Sequence, residues 1–330
     1  MSESRPASTV AARTSWQQRV KSSALQESVG LVVMLLIIVA VMTVLSPYFL
    51  TSQNFENLLL ASSTMGVIAM FTTLLMVGGG LDLSVGSTVA LVGVIISHGQ
   101  YTFGVWGAVA LGLAASVLVG LTNGLLVTRV GINPLITTLG MFSVVRGLAY
   151  VLSGGLTEPM LDPVFGKLGR GFIAGIPVPV VIFAVVTIGC YVVLKYTKYG
   201  RAMYSIGGNA TASRLAGLRV KRYQLTAYVL SALSAGVAGV MLTSLLGAGA
   251  PQAATGLELS AIAAVILGGT SLAGGKGTIW GTLLGVLILG TLNDGMVLLS
   301  VSAYFQQIAQ GLVLLLAVGL DQLRLRGAAV

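Results

Sequence analysis

The chain has 330 residues, 55% of them hydrophobic and only 8% charged, with a mean hydropathy of +0.96. A soluble domain carries roughly 25% charged residues, so the composition excludes a soluble fold and predicts an all-α polytopic membrane protein. The net charge of +9 carries no nucleic-acid reading, because the cations lie in short segments between apolar runs and not on a folded basic face.

Residues 1–28 are polar, with Arg5, Arg13, Arg19 and Lys21 ahead of the first apolar run. No small-residue cleavage site follows Leu45, so this stretch is expected to be retained as a disordered cytoplasmic tail, not removed as a signal peptide. Apolar runs then recur at 29–46, 57–77, 83–97, 103–127, 133–152, 178–195, 223–246, 256–270, 277–299 and 303–321. They predict one membrane domain over 29–321 with about ten transmembrane helices, although several runs are broken by glycine and fall short of the roughly 20 residues that cross hydrocarbon. An even number of spans puts both termini on one side, with a second tail at 322–330. With the termini cytoplasmic, every lysine and arginine except Arg146, Lys167 and Arg170 falls inside, as the positive-inside rule requires.

The exterior segment 153–177, SGGLTEPMLDPVFGKLGRGFIAGIP, reads from its glycines and prolines as an irregular or re-entrant loop. It is either a contact for an external partner, a lid over a pore, or a plain connector. Two stretches look alike: MVGGGLDLSVGSTVALVG at 76–93 and ILGGTSLAGGKGTIWGTLLG at 266–285. Each ends one span in a glycine cluster and opens the next with small residues. This is consistent with an internal duplication, with interrupted helices beside a substrate path. Gly120 with Gly124, and Gly281 with Gly285, have the spacing of small-residue helix packing.

The acids inside apolar runs are the candidate pathway residues. An ionised carboxylate at membrane depth costs roughly 2.5–3.5 kcal/mol on the insertion scale, so it must cap a helix, find a partner or face water. Asp82, followed by Ser84 and Ser87, stands where a helix begins, so capping competes with lining the cytoplasmic mouth of a pathway. Glu258 faces the same choice at the outer end of a span. Asp294 with Asn293 lies nearer mid-span and reads as an interior-facing polar pair. Asn123, Asn133, Thr137 and Thr138 could serve a hydroxylated solute, or simply hydrogen-bond between helices.

Other chemistries fail on detail. GGTSLAGGKGT at 268–278 has the wrong glycine spacing for a phosphate loop, and Lys276 is followed by Gly277 where Ser or Thr is needed. The chain is therefore expected to bind no ATP itself. Cys190 and His98 are the sole cysteine and histidine, which excludes a disulfide framework and multi-histidine or thiolate metal sites. No Ser–His–Asp or Cys–His constellation exists, so no catalytic residues are assigned.

The most polar interior stretch is 195–222, with Lys195, Lys198, Arg201, Arg214, Arg219, Lys221 and Arg222 and no carboxylate. Asn209 is positioned to N-cap a two-turn helix over 210–216 that Gly217 closes in the left-handed conformation. So short a helix is unstable alone and needs a surface, either lipid headgroups or a partner protein. The segment reads as a docking element on the cytoplasmic side.

GLDLSVGSTVAL (80–91), NPLITTLGMFSVVRGLAYV (133–151), YGRAMYSIGGNATASRLAGLRV (199–220) and ELSAIAAVILGGTSLAGGKGTIWGTLLGVLILGTLNDGMVLL (258–299) resemble the permease subunits of ribose-type ABC sugar importers. The resemblance runs in order from about Ser46 to Asp321. It implies a pore-forming subunit in the bacterial inner membrane, paired with a second permease chain in the lipid bilayer. A cytoplasmic ATP-binding subunit lies below and a periplasmic sugar-binding protein above, with ATP and Mg on the partner and no cofactor on this chain. It also implies that Gly207, Gly208, Asn209, Arg214, Leu215 and Gly217 form the loop that couples to the ATPase. Here the sequence departs from the pattern. Ala210 and Thr211 stand where the family usually has one or two acids, leaving Leu215, Ala216 and Arg214 to carry docking. The rival expectations are a branched-chain amino-acid permease of a related transporter and an ion-coupled secondary transporter.

Overall fold

A computed structural model describes residues 29–327, with side chains through residue 319. The tail expected at 1–28, and the last residues of the one expected at 322–330, lie outside the described residues. The helices in chain order are α1 (Val29–Leu45), α2 (Ser52–Val77), α3 (Val85–Leu125), α4 (Pro134–Ser153), α5 (Pro163–Arg170), α6 (Val178–Tyr196), α7 (Lys198–Gly208), α8 (Ala210–Leu215), α9 (Val220–Leu246), α10 (Leu257–Leu267), α11 (Ile279–Leu298) and α12 (Ala303–Gly327). A π-helical turn, Leu126–Val130, ends α3. Among the described residues, 6 helices are long and apolar enough to cross a membrane, with α3 and its π turn counted as one run. The chain is a polytopic membrane protein. Helix α12 continues through 322–327, where a separate tail was expected.

Polar residues start many of these helices by accepting an otherwise unpaired backbone N–H. Thr51 accepts from Asn54 N, Asn133 from Leu135 N, Thr197 from Gly200 N and Thr278 from Gly281 N. Glycine breaks them. The break inside α3 is the most consequential: Gly104, at φ 68° and ψ 165°, takes a conformation essentially confined to glycine. The chain reverses there. A methyl added at Gly112 would meet Val92 Cγ1 at 3.1 Å, and one at Gly99 would meet Ala108 Cβ at 3.1 Å. Helix α3 is thus two antiparallel legs, matching the separate apolar runs at 83–97 and 103–127.

Helices α2 and α9 form the buried centre, while α4 and α6 lie at the periphery. Glycine sets the close approaches. A methyl at Gly120 would stand 2.8 Å from Tyr228 O, and one at Gly124 would stand 3.3 Å from Leu225 Cα, so the second leg of α3 runs along α9. On α11, methyls at Gly281 and Gly285 would strike the carbonyls of Gly268 and Ala264, which folds α10 and α11 into a second tight hairpin. Both small-residue pairs are packing devices.

The segment 153–177 is more ordered than its composition predicts. Asp162 accepts from Val164 N and Phe165 N at 2.7 and 2.9 Å, with Pro163 in the first turn, and so starts α5. Phe165 is fully buried beside Val92 and Ile96. Gly169 N donates to Ser244 Oγ at 2.7 Å, fastening α5 to the outer end of α9. Glu158–Pro159 pairs with Ala248–Gly249, and Phe172–Ile173 pairs with Ile176–Pro177. One aromatic anchor and a capped turn outweigh the glycines.

Candidate functional site: a polar cavity between α2 and α9–α12

A cavity of about 670 Å³ lies between α2, α9, α10, α11 and α12. Its polar lining comes from Asn54, Asn57, Ser62 and Thr64 of α2, Ser260 of α10, Asn293 and Asp294 of α11 and Gln310 of α12, on walls that include Met65, Leu242, Leu257 and Leu289. Asn54 Nδ2 donates to Asp294 Oδ2 at 2.8 Å and to Phe49 O at 3.1 Å. Gln310 Nε2 donates to Asn293 Oδ1 at 3.1 Å, and Ser260 Oγ donates to Gln310 Oε1 at 3.4 Å. Among the described residues, no lysine or arginine lines the cavity. Amides and hydroxyls on apolar walls can orient a neutral, many-hydroxyl solute without holding it tightly.

Asn293 and Asp294 stand in this cavity, as an interior-facing pair would. Sequence reading did not single out Asn54, Asn57, Ser260 or Gln310. The polar spacing of Asn54, Asn57 and Thr64 on one face of α2 was a visible signal. Ser260 and Gln310 gave none, because only the tertiary fold brings α10 and α12 to α11.

Asp82, Ser84, Ser87 and Asn123 come together elsewhere, at the foot of the α3 hairpin. Asp82 Oδ1 accepts from Ser84 N at 2.9 Å, Ser84 Oγ at 2.6 Å and Asn123 Nδ2 at 3.4 Å. Asn123 Nδ2 also donates to Ser84 Oγ at 2.8 Å, and Ser87 Oγ donates to Ser84 O at 2.9 Å. The cluster is buried and ties the start of one α3 leg to the end of the other. Its carboxylate holds the turn that leads into α3, whose N-cap position is Ser84, without itself capping the helix.

Glu258 lies in the first turn of α10, where Oε1 accepts from Gly256 N at 3.2 Å. Its carboxylate fills the space above Gly86 of α3. Nearby, Arg146 of α4 donates from Nη1 to Pro251 O at 2.7 Å and to Ala253 O at 2.8 Å. Arg146 therefore fixes the segment whose Ala253–Gly256 stretch forms one wall of the cavity. Charge placement had marked Arg146 only as a cation within a span. Asn133 caps α4, Thr138 Oγ1 donates to Pro134 O at 2.9 Å, and Thr137 is buried on the same helix. None of these three lines the cavity.

The segment at 195–222 forms the short capped helix that its residues predict. Asn209 Oδ1 accepts from Ala212 N at 2.9 Å, α8 occupies Ala210–Leu215, and Gly217 sits at φ 86°. Ser205 Oγ and Ser213 Oγ, 2.9 Å apart, hold α8 against α7. Arg214 and Leu215 face outward, with Leu215 85% exposed. Met203 and Ile206 anchor the inner face of α7. Burial pushes the Tyr199 phenol up to about 12, and raises that of Tyr204. Both stay neutral hydrogen-bond donors: Tyr199 OH to Tyr223 O at 3.2 Å, Tyr204 OH to Gly277 O at 2.7 Å.

Comparison with known proteins supplies the family. Residues 54–318 match the model of a family described as "Branched-chain amino acid transport system / permease component". The chain is 40% identical over 310 residues to the ribose import permease protein of Bacillus subtilis, covering 93% of this chain and 96% of that one. It is 41% identical over 294 residues to the ribose import permease protein of Escherichia coli K12, covering 87% and 91%. It is also 42% identical over 299 residues to an L-arabinose ABC transporter permease of Azospirillum brasilense, covering 89% and 87%. No solved structure matches the chain. A family match that takes in both the cavity and the docking segment, with relatives aligned along most of the chain, makes this protein a member of the family of transport-system permease components.

Proposed function

We propose that this chain is the pore-forming permease subunit of an ATP-driven importer for a monosaccharide, a ribose-like pentose, deoxyhexose or related sugar. It receives solute from a periplasmic binding protein and releases it to the cytoplasm. The observation that carries the reading is the cavity: amides of Asn54, Asn293 and Gln310 and the hydroxyl of Ser260, with Asp294 already engaged by Asn54. Similarity to ribose and arabinose permeases supports the same solute class.

The two legs of α3, together with α1, α2, α4, α6, α9, α10, α11 and α12, give about ten passes through the bilayer of the bacterial inner membrane. Both termini then lie in the cytoplasm. ATP and Mg bind a separate partner, and the segment at 199–222 docks on it through Arg214 and Leu215. A second permease chain, identical or a sister, completes the pathway. Closure of the ATPase moves the docking segment, and the spans rock between outward- and inward-open states. Asn293 and Asp294, which line the cavity, and Asp82, Ser84, Ser87, Asn123, Asn133, Thr137 and Glu258 belong to the translocation pathway or its gates.

The family description raises a branched-chain amino acid as the alternative cargo. Relatives that import ribose and L-arabinose favour a sugar over that cargo, and no lysine or arginine among the described residues lines the cavity to pair with an amino-acid carboxylate. The experiment is uptake of labelled ribose and labelled leucine by proteoliposomes holding the complete transporter. Sugar uptake that needs internal ATP supports the proposal, whereas leucine uptake without sugar uptake rejects it. Uptake of either without ATP would point to an ion-coupled carrier.

A further inference from the structure

The two look-alike stretches at 76–93 and 266–285 meet in space, and they meet against the docking segment. Gly275 N donates to Val77 O at 2.9 Å, joining the α10–α11 link to the end of α2. Gly207, near the end of α7, lies in the same junction. A methyl there would strike Val77 O and Gly275 N. Gly274, at φ 86°, has room for no side chain, since a methyl would stand 3.0 Å from both Gly207 Cα and Gly79 Cα. Gly275, at φ 76°, is as close to the next residue of the corner, with a methyl 2.9 Å from Gly208 N. Two side-chain bonds flank this contact. Tyr204 OH donates to Gly277 O at 2.7 Å, and Gln224 Nε2 donates to Gly78 O at 3.4 Å.

We infer that this three-way glycine junction is what passes motion of the docking segment to the cavity walls, with Gly207, Gly274 and Tyr204 as its positioning residues. The inference rests on the proposed function. Its physical basis is the direct backbone-on-backbone packing at Gly207, Gly274 and Gly275, with the Met203 side chain of α7 set beside it against Gly78. A side chain between two moving parts absorbs displacement by changing rotamer. Backbone packed on backbone has no such slack, and a close-packed contact transmits a shift whole. The junction also leads directly to the cavity. Helix α2 carries Asn54, Asn57 and Thr64, and α11 carries Asn293 and Asp294. Thr73 and Thr282 hydroxyls, 2.6 Å apart, bind those two helices together between junction and cavity. The opposite side of the segment presents Arg214 and Leu215 outward. The α7–α8 segment thus presents Arg214 and Leu215 of α8 to solvent and packs Gly207 of α7 on both the α2–α3 and the α10–α11 links.

The test measures ATP hydrolysed per sugar taken up, in proteoliposomes of the complete transporter. It compares wild type, Gly207→Ala, Gly274→Ala, Tyr204→Phe and the control Gly189→Ala, whose added methyl meets nothing within 4 Å. Each variant is expected to recover the ATP-binding subunit in wild-type proportion. Gly207→Ala and Gly274→Ala are expected to raise ATP spent per sugar by about tenfold, and Tyr204→Phe by about threefold, as for ordinary allosteric couplings. Gly189→Ala should leave the ratio unchanged. Uptake and hydrolysis falling together at a constant ratio would mean that the glycines only pack the fold, and would overturn the inference. So would wild-type uptake in either alanine variant. If the alanine variants do not fold, Tyr204→Phe decides alone, because it removes one oxygen and no packing volume. Failure to recover any ATP-binding subunit with the wild type is a different result: it rejects the proposed function, and this inference with it.

Discussion

Asp82 and Asp294 are both acids among apolar runs, and their surroundings give them different work. Asp82 gathers Ser84 N, Ser84 Oγ and Asn123 Nδ2 on one oxygen. Asp82→Ala would strand those donors in the interior, at about 1–3 kcal/mol for a buried group left unpaired. The variant should melt earlier in detergent by an amount matching about 2 kcal/mol, while Asp82→Asn, which keeps an acceptor oxygen, should lose less. Asp294 instead faces the cavity and accepts one amide bond from Asn54. Asp294→Asn preserves hydrogen bonding and removes charge. Under the importer reading it should keep ATP-driven uptake within about threefold, less than the roughly 1 kcal/mol of one hydrogen bond. An ion-coupled carrier would need the charge and lose uptake outright. Initial uptake rates separate the two.

At the scale of elements, hinge points decide the architecture, and glycine makes them. Gly104 is the clearest case, since no other residue adopts φ 68° and ψ 165° without strain. Gly104→Ala should destabilise the α3 hairpin by about 1–3 kcal/mol, read as a lower thermal midpoint. Asp162 is the matching case outside the membrane. It caps α5 with two backbone bonds, and Asp162→Ala should cost about 1 kcal/mol. Most of these elements were legible in the sequence, because the apolar runs, the Asn209 cap and the Gly217 stop are local signals. Even the α3 hairpin shows as two runs around Gly104. The order in 153–177 was not legible, because it depends on Phe165 reaching Val92 and Ile96 across the fold. The cavity was half legible. Asn293 and Asp294 announce themselves as polar residues within a span, whereas Ser260 and Gln310 matter only once α10 and α12 are packed beside α11.

For the whole molecule, a polar cavity lies toward one end of α2 and the exposed α7–α8 segment toward the other, with the glycine junction between. Arg214 and Leu215 are exposed, and the proposed function sets this face against the ATPase. Arg214→Glu with Leu215→Asp should abolish recovery of the ATP-binding subunit in mild detergent while leaving the permease folded and monodisperse. Under that proposal, with Ala210 and Thr211 in place of acids, docking rests on those two side chains. The measurement that bears most directly on the function is uptake of labelled ribose by proteoliposomes containing the complete transporter and its binding protein, with and without ATP inside. The importer account predicts uptake only with ATP inside and its loss in the Arg214→Glu, Leu215→Asp variant. Equal uptake without ATP, or in the docking variant, would contradict it.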